Sequence, residues 1–327
     1  MYTAGLVGSA MLGACSDSDS FADDDDGNVN NNRGPNGTNA DQAIANFALN
    51  LEYLEAEFYL FAATGSGIPD NMKDGIGERG TVSGGGMVNF GNDSFGNLVR
   101  EYANEIAVDE FDHVKTLRDT LGGGAVAEPR IALDTAFRTA ASAAGLGDNF
   151  DYTASPTNFL LAAYIFEDVG VTAYKGAAPL ITDPKILKVA AGFLAAEAYH
   201  ASLVRTVLYA QATQSGNQDL FNAVKAISDA RDALDKDGVD NDQGIAPTND
   251  TPNGATGQAS NIVPLMDNGE AYGRNPGPVL NIVYLNTDTG TSNGGGFFPD
   301  GVNSNDDSGL FTQGTAAASG SGGGGSS

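Results

Sequence analysis

Glu105–Gly122 reads EIAVDEFDHVKTLRDTLG and Ala196–Arg205 reads AEAYHASLVR; these two stretches decide the fold. They hold both histidines of the 327-residue chain, and each follows a glutamate by three residues: Glu110 before His113, Glu197 before His200. Glutamate supplies 11 of the 327 residues, so chance would place one three before both histidines on the order of once in a thousand such sequences, and metal-binding helices use this spacing. Residues three apart share a helix face, so each pair can present a carboxylate and an imidazole to one point. Those faces are apolar: Ile106, Glu110, His113 and Leu117 form one stripe, and Leu194, Glu197, Ala201 and Val204 another.

Outward from these pairs, helical periodicity marks four long helices. Ile44, Phe47, Leu51, Leu54, Phe58 and Phe61 predict a first helix from Asp41 to about Ala63. Gly65 to Gly91 then breaks every pattern and reads as a long loop holding a short hairpin. Asp93 or Ser94 caps the second helix, which stops at Gly122–Gly124; a connection of over thirty residues follows, with a short helix at Ile131–Ala144. The third helix begins near Asn158 and ends before Pro179, and Asp183 followed by Pro184 starts the fourth. Two helical hairpins joined by one long crossover give an all-α, ferritin-like four-helix bundle. Leu220–Leu234 forms a fifth amphipathic segment. Beyond it, Asp235–Phe311 is an extended, mostly irregular tail packed on the bundle, with a strand-like run at Val279–Leu285 and apolar residues from Ile262 to Phe298 that should be covered.

The other two long helices also set Glu among apolar neighbours. Glu167 lies between Phe166 and Val169; Glu52 and Glu55 share a face with Leu51 and Tyr59, while Glu57 falls on the solvated side. Burying Glu52, Glu110, Glu167 and Glu197 together would need compensation. Two divalent cations cancel the four charges, and neutral His113 and His200 complete the coordination. One Glu from each of two helices and a Glu-x-x-His from each of the other two is the di-iron or di-manganese carboxylate pattern. Oxygen-rich ligation with two imidazoles suits Fe or Mn better than structural zinc. Asp235, Asp237, Asp240 and Asp242 around Gly238 are the weaker calcium reading, against a solvated acidic turn.

The chain resembles the ferritin-like domain proteins related to the plant desiccation-related protein. The resemblance rests on LEYLEAEFY at Leu51–Tyr59, on the two Glu-x-x-His stretches, on Phe166–Asp168, and on Arg231–Leu234, Asp242–Ile245 and GGFFPDGVN at Gly295–Asn303. It implies a ferritin-like fold, frequent export in bacteria and an association with desiccation or oxidative stress, without an agreed reaction. By comparison with ferritin-like di-iron sites, Glu110 and Glu197 would bridge the metals, with Glu52, His113, Glu167 and His200 terminal. Glu52 is preferred to its alternate, Glu55, because it stands seven before Tyr59, as the first-helix ligand does in bacterioferritin-like sequences.

With 42 Asp plus Glu against 16 Lys plus Arg, a net charge of −26 argues against a nucleic-acid partner. No run reaches the ~18 apolar residues of a spanning helix, so membrane contact is expected only through a lipid anchor. Ala4–Ala14 followed by Cys15 resembles a lipoprotein signal with Cys15 lipidated, although no Lys or Arg precedes it. The expected organisation is a signal over 1–15, a polar tether over 16–39, the bundle over 40–214, a C-terminal helix and tail over 215–311 and a flexible Gly/Ser end over 312–327. The expected function is an exported di-metal oxidoreductase of the cell envelope acting on dioxygen or peroxide, with homo-oligomerisation left open. The competing expectation is a structural or protective envelope protein whose metal site is non-catalytic or lost.

Overall fold

The computed structural model describes residues 40–252, 255–306, 309 and 311–315. Cys15, the tether over 16–39 and most of the Gly/Ser end lie outside them. The four long helices are α1 (Ala40–Thr64), α2 (Ser94–Leu121), α4 (Pro156–Ala177) and α5 (Pro184–Ser215), with α3 (Leu133–Ala143) inside the crossover. α1 packs along α2 and α4 along α5, so the two hairpins meet as a ferritin-like bundle. No helix among the described residues is long and apolar enough to cross a membrane.

The helix ends follow local chemistry. The Asp93 side chain accepts from Gly96 N at 2.7 Å and Asp183 accepts from Lys185 N at 2.7 Å, so each satisfies a backbone donor that its helix leaves unpaired. Pro156 and Pro184 occupy first-turn positions, where a missing N–H costs nothing, and α5 ends on left-handed Gly216. Asp41, on the first turn of α1, accepts from Thr182 N at 2.8 Å and Asp183 N at 2.9 Å, which ties the start of one hairpin to the start of α5.

The segment between α1 and α2 forms no hairpin. Its short strand β1 (Val82–Ser83) pairs in parallel with β2 (Ile131–Ala132) of the crossover, so the two long connections hold each other rather than folding back singly. Glu57 is not solvated either. It is fully buried, with Lys73 Nζ at 2.7 Å and Ile68 N at 3.1 Å, because the loop folds over that face of α1. Glu128 shares the same lysine at 3.2 Å, and burial followed by the neighbouring Glu57 charge pushes its carboxyl up to about 8.

Helix α6 (Gln218–Asp235) lies where the fifth segment was expected, but the strand-like run is helix α7 (Pro276–Val283). Short apolar runs do not distinguish strand from buried helix by pattern alone; here Pro276 opens a helical turn, and the helix is covered by α4 and α6. Phe297 then enters the core, its ring 4.9 Å from that of Phe166 and 5.0 Å from that of Phe137. Val263 and Leu265, expected to be covered, are instead 62% and 39% exposed.

Charge as well as apolar packing fixes the tail. Arg205 Nη1 reaches Asp168 Oδ2 at 2.8 Å, Arg231 bridges Asp168 and Asp242, and Arg274 bridges Asp235 and Asp242. All six side chains are buried, three cations against three anions. Two of the four aspartates of the calcium reading are therefore neutralised by arginine. Asp237 and Asp240 instead accept from the backbone N of Val239 and Asp242, as in an ordinary acidic turn. Arg231→Met would leave Asp168 and Asp242 under-compensated, and the expected loss is about 3–5 kcal/mol of stability, read from the urea midpoint. Replacing the more exposed Arg79, which pairs with Asp70 and Asp74, should leave that midpoint in place.

Candidate metal centre

Each long helix sends its carboxylate inward from a buried turn, and the four meet at mid-bundle. Among the described residues, Glu52, Glu110, His113 and Glu197 offer ligand atoms within 4.8 Å of one another, and so do Glu110, Glu167 and His200. All six side chains expected at the site are thus brought into two overlapping groups that share Glu110. Glu197, expected to bridge alongside Glu110, falls in the first group. Glu55 is buried beside the cluster but belongs to neither group.

Both imidazoles aim Nδ1 inward. His113 Nδ1 lies 3.1 Å from Glu52 Oε2, 3.4 Å from Glu110 Oε2 and 3.6 Å from Glu197 Oε1; His200 Nδ1 lies 3.0 Å from Glu110 Oε1 and 3.7 Å from Glu167 Oε2. Yet His200 Nδ1, both oxygens of Glu110 and of Glu197, and Glu167 Oε2 are buried without a hydrogen bond. Buried ligand atoms this close together and without hydrogen bonds suit a cation, and unpaired groups of this kind are costly otherwise. The donor set of four carboxylates and two imidazoles fits Fe or Mn.

Protons take up part of the burden when no metal is bound. Burial opposes charge on His113, but Glu52 and Glu110 outweigh it and push the imidazole up to about 11; His200 rises to about 9 against the same burial through Glu110 and Glu167. Burial raises Glu167 to about 8 and also raises Glu52, Glu55 and Glu197. Glu110 alone goes down: burial opposes its charge, but the two imidazoles overcome it.

The surrounding shell includes residues that the periodicity did not single out. Tyr59 donates to Glu167 Oε1 and Tyr174 donates to Glu52 Oε1, each phenol crossing from one hairpin to the ligand of the other. Tyr174 stands seven after Glu167 just as Tyr59 stands seven after Glu52, and that repeat was the available signal. Asp109 Oδ2 lies 3.2 Å from His200 Nε2; it fixes the tautomer that leaves Nδ1 free as a ligand. Phe193 stacks on His113 with centroids 4.0 Å apart. Gly170 leaves room for the cluster: a Cβ there would lie 2.3 Å from Glu197 Oε2. Gly170→Ala is accordingly expected to displace that carboxylate and weaken metal affinity about 10- to 100-fold, measured by competition with a chromogenic chelator.

A bundle of two helical hairpins with inward carboxylates and Glu-x-x-His pairs defines a ferritin-like protein. The profile of the ferritin-like domain family matches residues 40–210, and the chain belongs to that family. Over 247 residues it is 32% identical to the desiccation-related protein PCC13-62 of Craterostigma plantagineum, covering 72% of this chain and 75% of that protein. It is also 26% identical over 272 residues to the ferritin-like catalase Nec2 of Nesocodon mauritianus, covering 81% of this chain and 84% of that one. No solved structure matches at a significant level. The buried Glu/His cluster and these relatives support a metal-binding site in a ferritin-like, desiccation-related protein.

Proposed function

We propose that the chain is a di-metal oxidoreductase, holding two Fe or Mn ions and acting on peroxide or dioxygen. The observation that carries this is the set of buried, unpaired oxygens and nitrogens converging at mid-bundle. Glu52, Glu110, His113 and Glu197 would hold one ion, and Glu110, Glu167 and His200 the other. Two such ions supply the paired electrons that reduction of an O–O bond requires. The protein's own work is positional. Tyr59 and Tyr174 orient the outer carboxylates, and burial followed by nearby carboxylate charge raises both phenols so that they remain donors. Asp109 orients His200, and Phe193 covers His113.

The likeness to a ferritin-like catalase favours peroxide disproportionation. One peroxide accepts two electrons and two protons to give two waters; a second gives up the same and leaves as dioxygen, so no outside reductant is needed. The test is metal-loaded protein against an equal amount of free metal. Peroxide loss above that background, with one dioxygen released per two peroxides, supports the reading; loss equal to free metal contradicts it. Export to a bacterial envelope with lipid attachment at Cys15, and self-association, complete the proposal; the apolar run ending in Cys15 and its acidic follow-on support the first. A structural or protective role is the second reading, favoured by the long tail locked down by three buried arginines. Metal bound without turnover, together with protection of other proteins on drying, would select it.

A further inference from the structure

A cavity lined by residues of α1, α2, α4 and α5 reaches the cluster. Its lining includes the partly exposed Ala48, Leu51 and Val189 and, at the deep end, Glu52 and Tyr174. Apart from those two, Glu55 and Thr120, every lining side chain is apolar. Glu52 belongs to the first ligand group and accepts from Tyr174, so the inner end of the cavity is the edge of the metal centre itself. Its volume is about 30 Å3, and one water needs about 10–15 Å3 by the same measure. The space suits an object of about two heavy atoms.

Resting on the oxidoreductase reading, we propose that this cavity is the entry of a small uncharged molecule with an O–O bond, hydrogen peroxide or dioxygen, and that it excludes both larger hydroperoxides and metal cations. An ion passing an apolar wall loses its hydration with nothing in exchange, at a cost far above the few kcal/mol that stripping a small neutral molecule of its hydrogen bonds takes. A different face meets the needs of a cation: Asp109, half-exposed on α2, reaches solvent while touching His200.

The experiment uses the full chain with Ala173→Leu and, separately, Val189→Phe, each of which enlarges a side chain that lines the cavity. Both are expected to hold as much metal as wild type while kcat/KM for peroxide loss or dioxygen uptake, assayed separately, falls at least about tenfold. Wild type should leave cumene hydroperoxide untouched. Crystals of metal-free protein under xenon pressure should show xenon beside Leu51, Ala173 and Val189 in wild type and none in Ala173→Leu, because dry apolar cavities take up xenon. Unchanged kcat/KM in both variants at equal metal content, or turnover of cumene hydroperoxide at the rate of hydrogen peroxide, would overturn the proposal. If wild type turns over neither small substrate, the oxidoreductase reading fails on its own account. The xenon result then decides the cavity, and its absence from wild type refutes the entry.

Discussion

Stripping the metal is expected to lower the melting temperature and to reverse the cluster's pH dependence. Ligand at 100 to 1,000 times its dissociation constant contributes about 2.7–4 kcal/mol per site, so two ions would raise melting by roughly 10–20 °C in a domain of this size. In the metal-free chain Glu167 is raised to about 8 from an ordinary 4.5, and Glu52, Glu55 and Glu197 are raised too, burial being the largest cause in each. Between the ordinary and the raised values the folded chain keeps protons that the unfolded chain releases, so stability climbs as pH falls from about 8 towards 5. His113 and His200 act in the same sense. Their stabilisation is full below their ordinary 6.5 and is lost as pH rises through about 9 and 11. Glu110, lowered from 4.5, loses its contribution only as pH falls below that value. With metal bound, protons compete for the same atoms and acid weakens the site. Glu128, raised to about 8, and Asp235, raised to about 6, favour acid in both forms, so the informative quantity is the difference between the two curves. That difference should widen from pH 5 to pH 8 when melting is followed with and without chelator; parallel curves would contradict a buried carboxylate site.

Replacing Glu110 and Glu197 together by Ala should reduce metal content to below one ion per chain. Glu110 is the one residue common to both ligand groups, with one oxygen towards each imidazole. Glu197 closes the first group against α4. In the metal-free chain Glu110 also pairs with both imidazoles, so its removal costs part of the stability of the metal-free double variant, which should melt somewhat below metal-free wild type but still cooperatively. Metal lost from a chain that still melts cooperatively separates ligation from general unfolding. Elemental analysis beside a melting curve measures both.

The bundle was legible because its helices are long and their ends carry standard chemistry at Asp93, Asp183, Pro184 and Gly216. The six cluster residues were legible because carboxylates on apolar stripes need a reason. What escaped was long-range. Glu57 looked solvated, but the connection after α1 folds back over it and delivers Lys73. Val279–Leu285 looked like a strand because apolar residues on all sides give no period. The acidic turn, read as solvated with calcium the weaker alternative, is instead partly buried, with Arg231 and Arg274 on Asp242 and Arg274 also on Asp235. Tyr174, Asp109 and Gly170 act through residues on other helices, and one-dimensional periodicity carries little of that pairing.

The most direct measurement is anomalous diffraction at the iron or manganese edge from crystals of the reconstituted full chain. Two peaks at mid-bundle, one among Glu52, Glu110, His113 and Glu197 and the other among Glu110, Glu167 and His200, are the predicted result. A protein saturated with metal that shows no peak within reach of Glu110 would contradict the account.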